Sequence, residues 1–131
     1  MNKQVKARWL AALRSGKYTQ GTGALKQEGS TGSEFCCLGV LCDISGLGIW
    51  RERVTMYSRI KEYIVTDEPE LSILHPDVKT WAGLEAADPQ VKPSTELQER
   101  YGFKIEVPSL ATLNDRGASF SEIADLIEEQ L

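Results

Sequence analysis

The sequence is poor in the residues that most catalytic and metal chemistry uses. Its 131 residues include one histidine, His75, and three cysteines, Cys36, Cys37 and Cys42. A structural zinc site draws four Cys or His ligands in paired spacings, and one distant histidine does not complete such a set. Cys37 and Cys42 have four residues between them, just within the reach of a zinc knuckle, but the intervening Leu38, Val40 and Leu41 have core character. An odd cysteine count packed into seven residues is also unlike the disulfide framework of a secreted domain. Reduced thiols acting as small hydrophobes are the expectation, with no metal and no other cofactor. A cysteine-dependent enzyme, with Cys36 or Cys37 activated by His75, is a further reading.

Long apolar runs are missing too. No stretch approaches the ~20 residues of a membrane span. The segment Trp9-Leu10-Ala11-Ala12-Leu13 is short, and Arg8 and Arg14 bracket it, which is not a signal-peptide pattern. A cytosolic protein without membrane contact is expected. At this length the chain makes one globular domain, residues 1–131, able to bury a core without staples.

Acidic residues are absent from the first 27 positions, where Lys3, Lys6, Arg8, Arg14, Lys17 and Lys26 accumulate. Residues 1–65 carry ten Lys/Arg and five Asp/Glu, and residues 66–131 carry five and fourteen, so the net charge of −4 divides into +5 and −9. This polarity points either to an anionic partner at the basic end or to attraction between the two halves.

The patterning predicts an α+β fold with a short antiparallel hairpin between N-terminal and C-terminal helices. Val5, Trp9, Ala12 and Leu13 form one stripe of a helix over 3–14, closed by Ser15-Gly16. Residues 17–24 are polar and glycine-rich, a loop. Strands are expected at 24–27 and 33–37, joined by Glu28-Gly29-Ser30-Thr31-Gly32. The apolar run from Cys37 to Ile44 suits a buried strand or a buried helix, with helix favoured because Leu38, Leu41 and Cys42 share a face. Apolar residues between Trp50 and Val65 are too irregularly spaced to assign. Pro76 opens a helix ending at Trp81-Ala82, residues 85–96 read as exposed loop, and Phe103–Val107 alternates like a strand. Ser109 and Ser119 cap two short C-terminal helices, the second with a capping box to Glu122.

Two helices around Gly117 invite comparison with a DNA-binding helix-turn-helix. The last helix, however, carries Glu122, Asp125, Glu128 and Glu129 and no cation, so duplex phosphates would repel it. The glycine-rich loop is the better site. Backbone amides in such turns cradle phosphate oxygens, and nearby cations add charge-assisted bonds. On that reading Arg14 and Gly21 meet a phosphate, Tyr18 stacks on a base and Gln20 bonds its edge; a solvated loop is the plainer alternative. No Walker pattern follows Gly21-Thr22-Gly23. Asn114 and Asp115 either cap a helix or contribute to the same ligand.

These segments carry a resemblance. Trp9-Leu10-Ala11-Ala12-Leu13-Arg14-Ser15-Gly16 with Tyr18 and Gln20, Phe35-Cys36-Cys37-Leu38-Gly39-Val40-Leu41-Cys42-Asp43, Trp81-Ala82-Gly83-Leu84, and Leu113-Asn114-Asp115-Arg116-Gly117-Ala118-Ser119-Phe120 together resemble a family of small, mostly uncharacterised tailed-phage and prophage proteins. The Phe35–Asp43 run is the specific part, and residues 50–73 lie outside the resemblance. Phage proteins of this size often counter host defence, in some cases as an oligomeric sponge for a nucleotide signal. The resemblance therefore implies a cytosolic homo-oligomer that traps a small nucleotide-like ligand without cleaving it. The alternative reading is an inhibitor that grips a host protein, using the acidic C-terminal half as a mimic surface.

Overall fold

A computed structural model describes residues 1–56 and 59–131. The chain folds as α+β: α1 (Lys3–Arg14), β1 (Thr19–Gln20), β2 (Lys26–Gly29), β3 (Gly32–Phe35), α2 (Cys37–Ser45), β4 (Ile49–Val54), β5 (Arg59–Val65), β6 (Glu68–Glu70), α3 (Pro76–Ala82), α4 (Thr95–Tyr101), α5 (Leu110–Asp115) and α6 (Phe120–Gln130). The sheet order is β1-β3-β2-β5-β4, with β6 pairing β5. β1 runs parallel to β3, and the other pairings are antiparallel.

The fold is organised around α2. Cys37 through Cys42 are all buried, and the helix touches α1, α3, α5 and β3. Its apolarity on every side is what a central helix requires, and Gly46 in the left-handed region ends it. Gly39 faces the carbonyl of Leu25, which a Cβ there would approach to 1.8 Å. The same carbonyl accepts from the Cys36 amide at 3.1 Å, so the lead into β2 lies against the first turn of α2. On the other side Trp9, wholly buried in α1, donates its indole N–H to the Cys37 carbonyl at 3.0 Å. The indole thereby buries its ring and satisfies its polar edge at once.

The helical expectations for α1, α2, α3, α5 and α6 match the structure, including the Ser119–Glu122 capping box. Two do not survive. Residues 103–107 form no strand: Ile105 and Val107 are exposed, and the alternation has no neighbouring strand to pair with. The loop expected over 85–96 gives way at its end to α4, capped by Ser94. Residues 50–65, left unassigned by pattern, lie largely in β4 and β5, and the loop over 17–24 contains the short β1. No helix among the described residues is long and apolar enough to cross a membrane.

Candidate functional site

The polar residues after α1 meet the turn between α5 and α6. Gln20 donates from Nε2 to Asn114 Oδ1 (3.0 Å) and to the Ala118 carbonyl (2.8 Å), while its Oε1 accepts from the Phe120 amide (3.1 Å). Asn114 is fully buried; Oδ1 also accepts from the Cys37 amide (3.2 Å), and Nδ2 donates to the Gly21 carbonyl (2.8 Å). Asp115 Oδ1 accepts from the Gly23 amide at 3.0 Å, and the Gly21 amide donates to the Phe35 carbonyl at 2.8 Å. Gln20, Gly21, Asn114 and Asp115 thus form a clasp that ties the loop to α2 and α5.

Arg14 faces the acidic last helix. Its Nη2 donates to Asp125 (2.7 Å) and Glu128 (2.8 Å), which hold the guanidinium all the more firmly protonated. Lys6 joins the same contact through the Glu128 carbonyl at 2.8 Å. The phosphate cradle expected from Arg14 and the Gly21 amide is therefore not open, because both are engaged within the fold.

Tyr18 belongs to a different cluster. Its ring meets Phe35 edge-on at 5.0 Å, Phe35 meets Trp50 at 6.0 Å, and Trp50 tilts against Tyr63 at 4.8 Å. The Lys26 ammonium lies 5.1 Å from the Phe35 ring centre and 5.3 Å from that of Trp50. Among the described residues, no carboxylate comes within ion-pair reach of Lys26. Asp43, exposed near the end of α2, accepts from the Tyr18 hydroxyl (2.6 Å) and the Trp50 indole (3.0 Å). Burial and then the Asp43 hydrogen bond push the Tyr18 phenol up, keeping it a donor. Tyr18, Lys26 and Trp50 are half-buried, so the rings combine a fixed framework with a reachable surface.

Lys26, Phe35, Asp43 and Trp50 are members of this cluster that sequence spacing does not single out. β2, β3, α2 and β4 bring them together, and only the pairing of Lys26 with Phe35 and of Trp50 with Tyr63 makes the grouping visible.

The thiols are in the opposite state to a nucleophile. Burial raises Cys36 to about 11, and Cys37 and Cys42 are raised as well, again chiefly by burial. Cys36 instead caps α2, accepting from the Gly39 amide at 3.4 Å. His75 is occupied as the cap of α3, its Nδ1 accepting from the Asp77 amide at 3.1 Å. Among the described residues, no group of three or more His, Cys, Asp or Glu side chains is placed to hold a metal ion.

No curated protein and no solved structure gives a significant match to this chain. A family model matches residues 1–131, the whole sequence, and on that ground the chain belongs to the family described as a domain of unknown function, DUF8296.

Proposed function

We propose that this is a phage-encoded binding protein that sequesters a small anionic, nucleotide-like host immune signal without cleaving it. It works in the host cytosol as a homo-oligomer. The ligand lies on the half-buried rings of Tyr18 and Trp50, which pack on buried Phe35, with Lys26 meeting its phosphate. The observation that carries this reading is Lys26: a cation set on two aromatic rings with no carboxylate to neutralise it among the described residues. Aromatic faces stack on any base, and a neighbouring cation adds the electrostatic part. Lys17, exposed beside Tyr18, is a second cation on the approach. Exposed Ile49, Val54 and Met56 offer apolar surface for self-association.

Isothermal titration with cyclic dinucleotides, cyclic trinucleotides and ADP-ribose derivatives tests the proposal. A sponge has to compete with a tight host receptor, so one of these should bind well below roughly 100 μM. Failure of every one to bind at that level sinks the reading.

A second reading, an inhibitor that engages a host protein through an acidic surface, is favoured by a groove of about 480 Å³ beside α6. Leu97 and Leu126 contribute apolar lining and Glu129 negative charge, beside Glu122 and Asp125, which pair with Arg100 and Arg14. Capture of a host protein that is lost between low and high salt, with no nucleotide binding, would favour this reading over the first.

A further inference from the structure

We infer that the base recognised on the ring cluster is guanine, read through its Watson–Crick edge by Asp43. This rests on the nucleotide-binding reading and adds the identity of the base. A carboxylate offers about four lone-pair positions. In Asp43 the Tyr18 hydroxyl takes one on Oδ2 and the Trp50 indole takes one on Oδ1. Each oxygen therefore retains an acceptor position, and the two donors fix the carboxylate beside the rings. Neither donor is charged, and no Lys or Arg lies within ion-pair reach of Asp43 among the described residues, so no ion pair takes up its free acceptor positions.

A planar ligand stacked against Trp50 or Tyr18 brings its edge toward this carboxylate. Two free acceptors side by side call for two adjacent N–H donors. Guanine supplies them as N1–H and the exocyclic amino group, a pairing strengthened by the charge on the acceptor. Adenine and cytosine each place one amino donor next to a ring-nitrogen acceptor, which sets lone pair against lone pair. Uracil flanks its single N–H with two carbonyls. Hypoxanthine retains N1–H but lacks the amino group. The carboxylate therefore selects guanine over every other common base, and Lys26 holds the phosphate. Edge recognition of a base stacked on aromatic side chains is an established mode for unpaired nucleotides.

The test uses the full chain and matched scaffolds: cyclic di-GMP, cyclic di-IMP and cyclic di-AMP, with ADP-ribose as a ligand without guanine. Titration should place cyclic di-GMP at least about tenfold tighter than the other two, the scale of one good bidentate base contact. Asp43→Asn replaces one acceptor by a donor, and the preference should then shrink to within about twofold. Cyclic di-AMP or ADP-ribose binding equally well or better overturns the guanine assignment and leaves the nucleotide-binding reading standing. No binding by any of the four overturns the guanine assignment, and failure of cyclic trinucleotides as well overturns the nucleotide-binding reading. The comparison of cyclic di-GMP with cyclic di-IMP on the unaltered chain decides the matter even where Asp43→Asn fails to fold.

Discussion

Asn114 shows how much of the fold can depend on one side chain. Its amide meets the Gly21 carbonyl and the Cys37 amide where water does not reach, and half-buried Gln20 beside them. Truncation to alanine strands a buried carbonyl and a buried amide together, and each stranded group costs about 1–3 kcal/mol. Asn114→Ala should therefore lose about 3 kcal/mol in urea denaturation, whereas Asp115→Ala, at an exposed position, should lose less than half as much. The cysteines give a second residue-level expectation. Cys36 keeps its proton up to about 11 in the folded chain against an ordinary 9.0. Between those values the unfolded chain releases a proton that the folded chain retains, so the associated stability is present below pH 9 and is lost as pH rises through 11. Two pH units on one thiol correspond to about 2.7 kcal/mol as an upper figure. Cys36→Ser puts a capping oxygen in place of the sulfur and removes the titration, and its urea stability should fall less between about pH 8.5 and 10.5 than that of the unaltered chain.

At the scale of elements, the close approach of α2 to the lead into β2 is the tightest constraint. A methyl at Gly39 would meet a backbone carbonyl, which cannot swing aside as a side chain can. Gly39→Ala should cost 3 kcal/mol or more, at the upper end of overpacking losses, and calorimetry should show it as a depressed or absent unfolding transition. The helices around this contact were legible because each carries some local signal: a Ser cap, a proline in the first turn, an apolar stripe or a glycine in the left-handed region. β4 and β5 were not legible, because their two faces are not split into apolar and polar. Arg51, Arg53 and buried Glu62 share one face, and Trp50 and Tyr63 share the other with Glu52 and Lys61. Residues 103–107 failed for the converse reason, since they alternate without a strand to pair with. The ring cluster was hidden in the same way, as its members lie on six separate segments. β4 is also an edge strand, and its sequence argues against simple edge-to-edge dimerisation. A two-fold antiparallel pairing centred on Arg51, Glu52 or Arg53 sets that residue against its own copy, a like-charge contact that disfavours the pairing. The homo-oligomer of the proposed function would then have to run through exposed apolar side chains such as Val54 and Met56.

For the whole molecule, the division of charge along the chain is used inside the fold only in part: among the described residues, Arg14 is the one cation of residues 1–65 that pairs with a carboxylate of residues 66–131. Arg14 and Lys6 of the basic end dock on Asp125 and Glu128 of the acidic end, bringing α1 and α6 into contact. Sequence polarity of this kind has two possible uses, and the geometry assigns different cations to each. Arg14 holds two helices together at the surface, where such pairs contribute little. Lys26, without a carboxylate partner among the described residues, is the cation that meets an outside anion in the proposed function. Neutralising each in turn separates these uses. Arg14→Gln should leave the affinity for a bound nucleotide within about twofold and its salt dependence intact. Lys26→Gln should weaken that affinity about tenfold, a typical loss for one charge-assisted contact of 1.5 kcal/mol, and flatten the salt dependence. Titrations of both variants at 50 and 300 mM salt, against the ligand that binds the unaltered chain, measure this directly. Were Arg14→Gln to abolish binding while Lys26→Gln did not, the ligand would have to open the α1–α6 contact on entry, and the ring cluster would lose its claim to the phosphate.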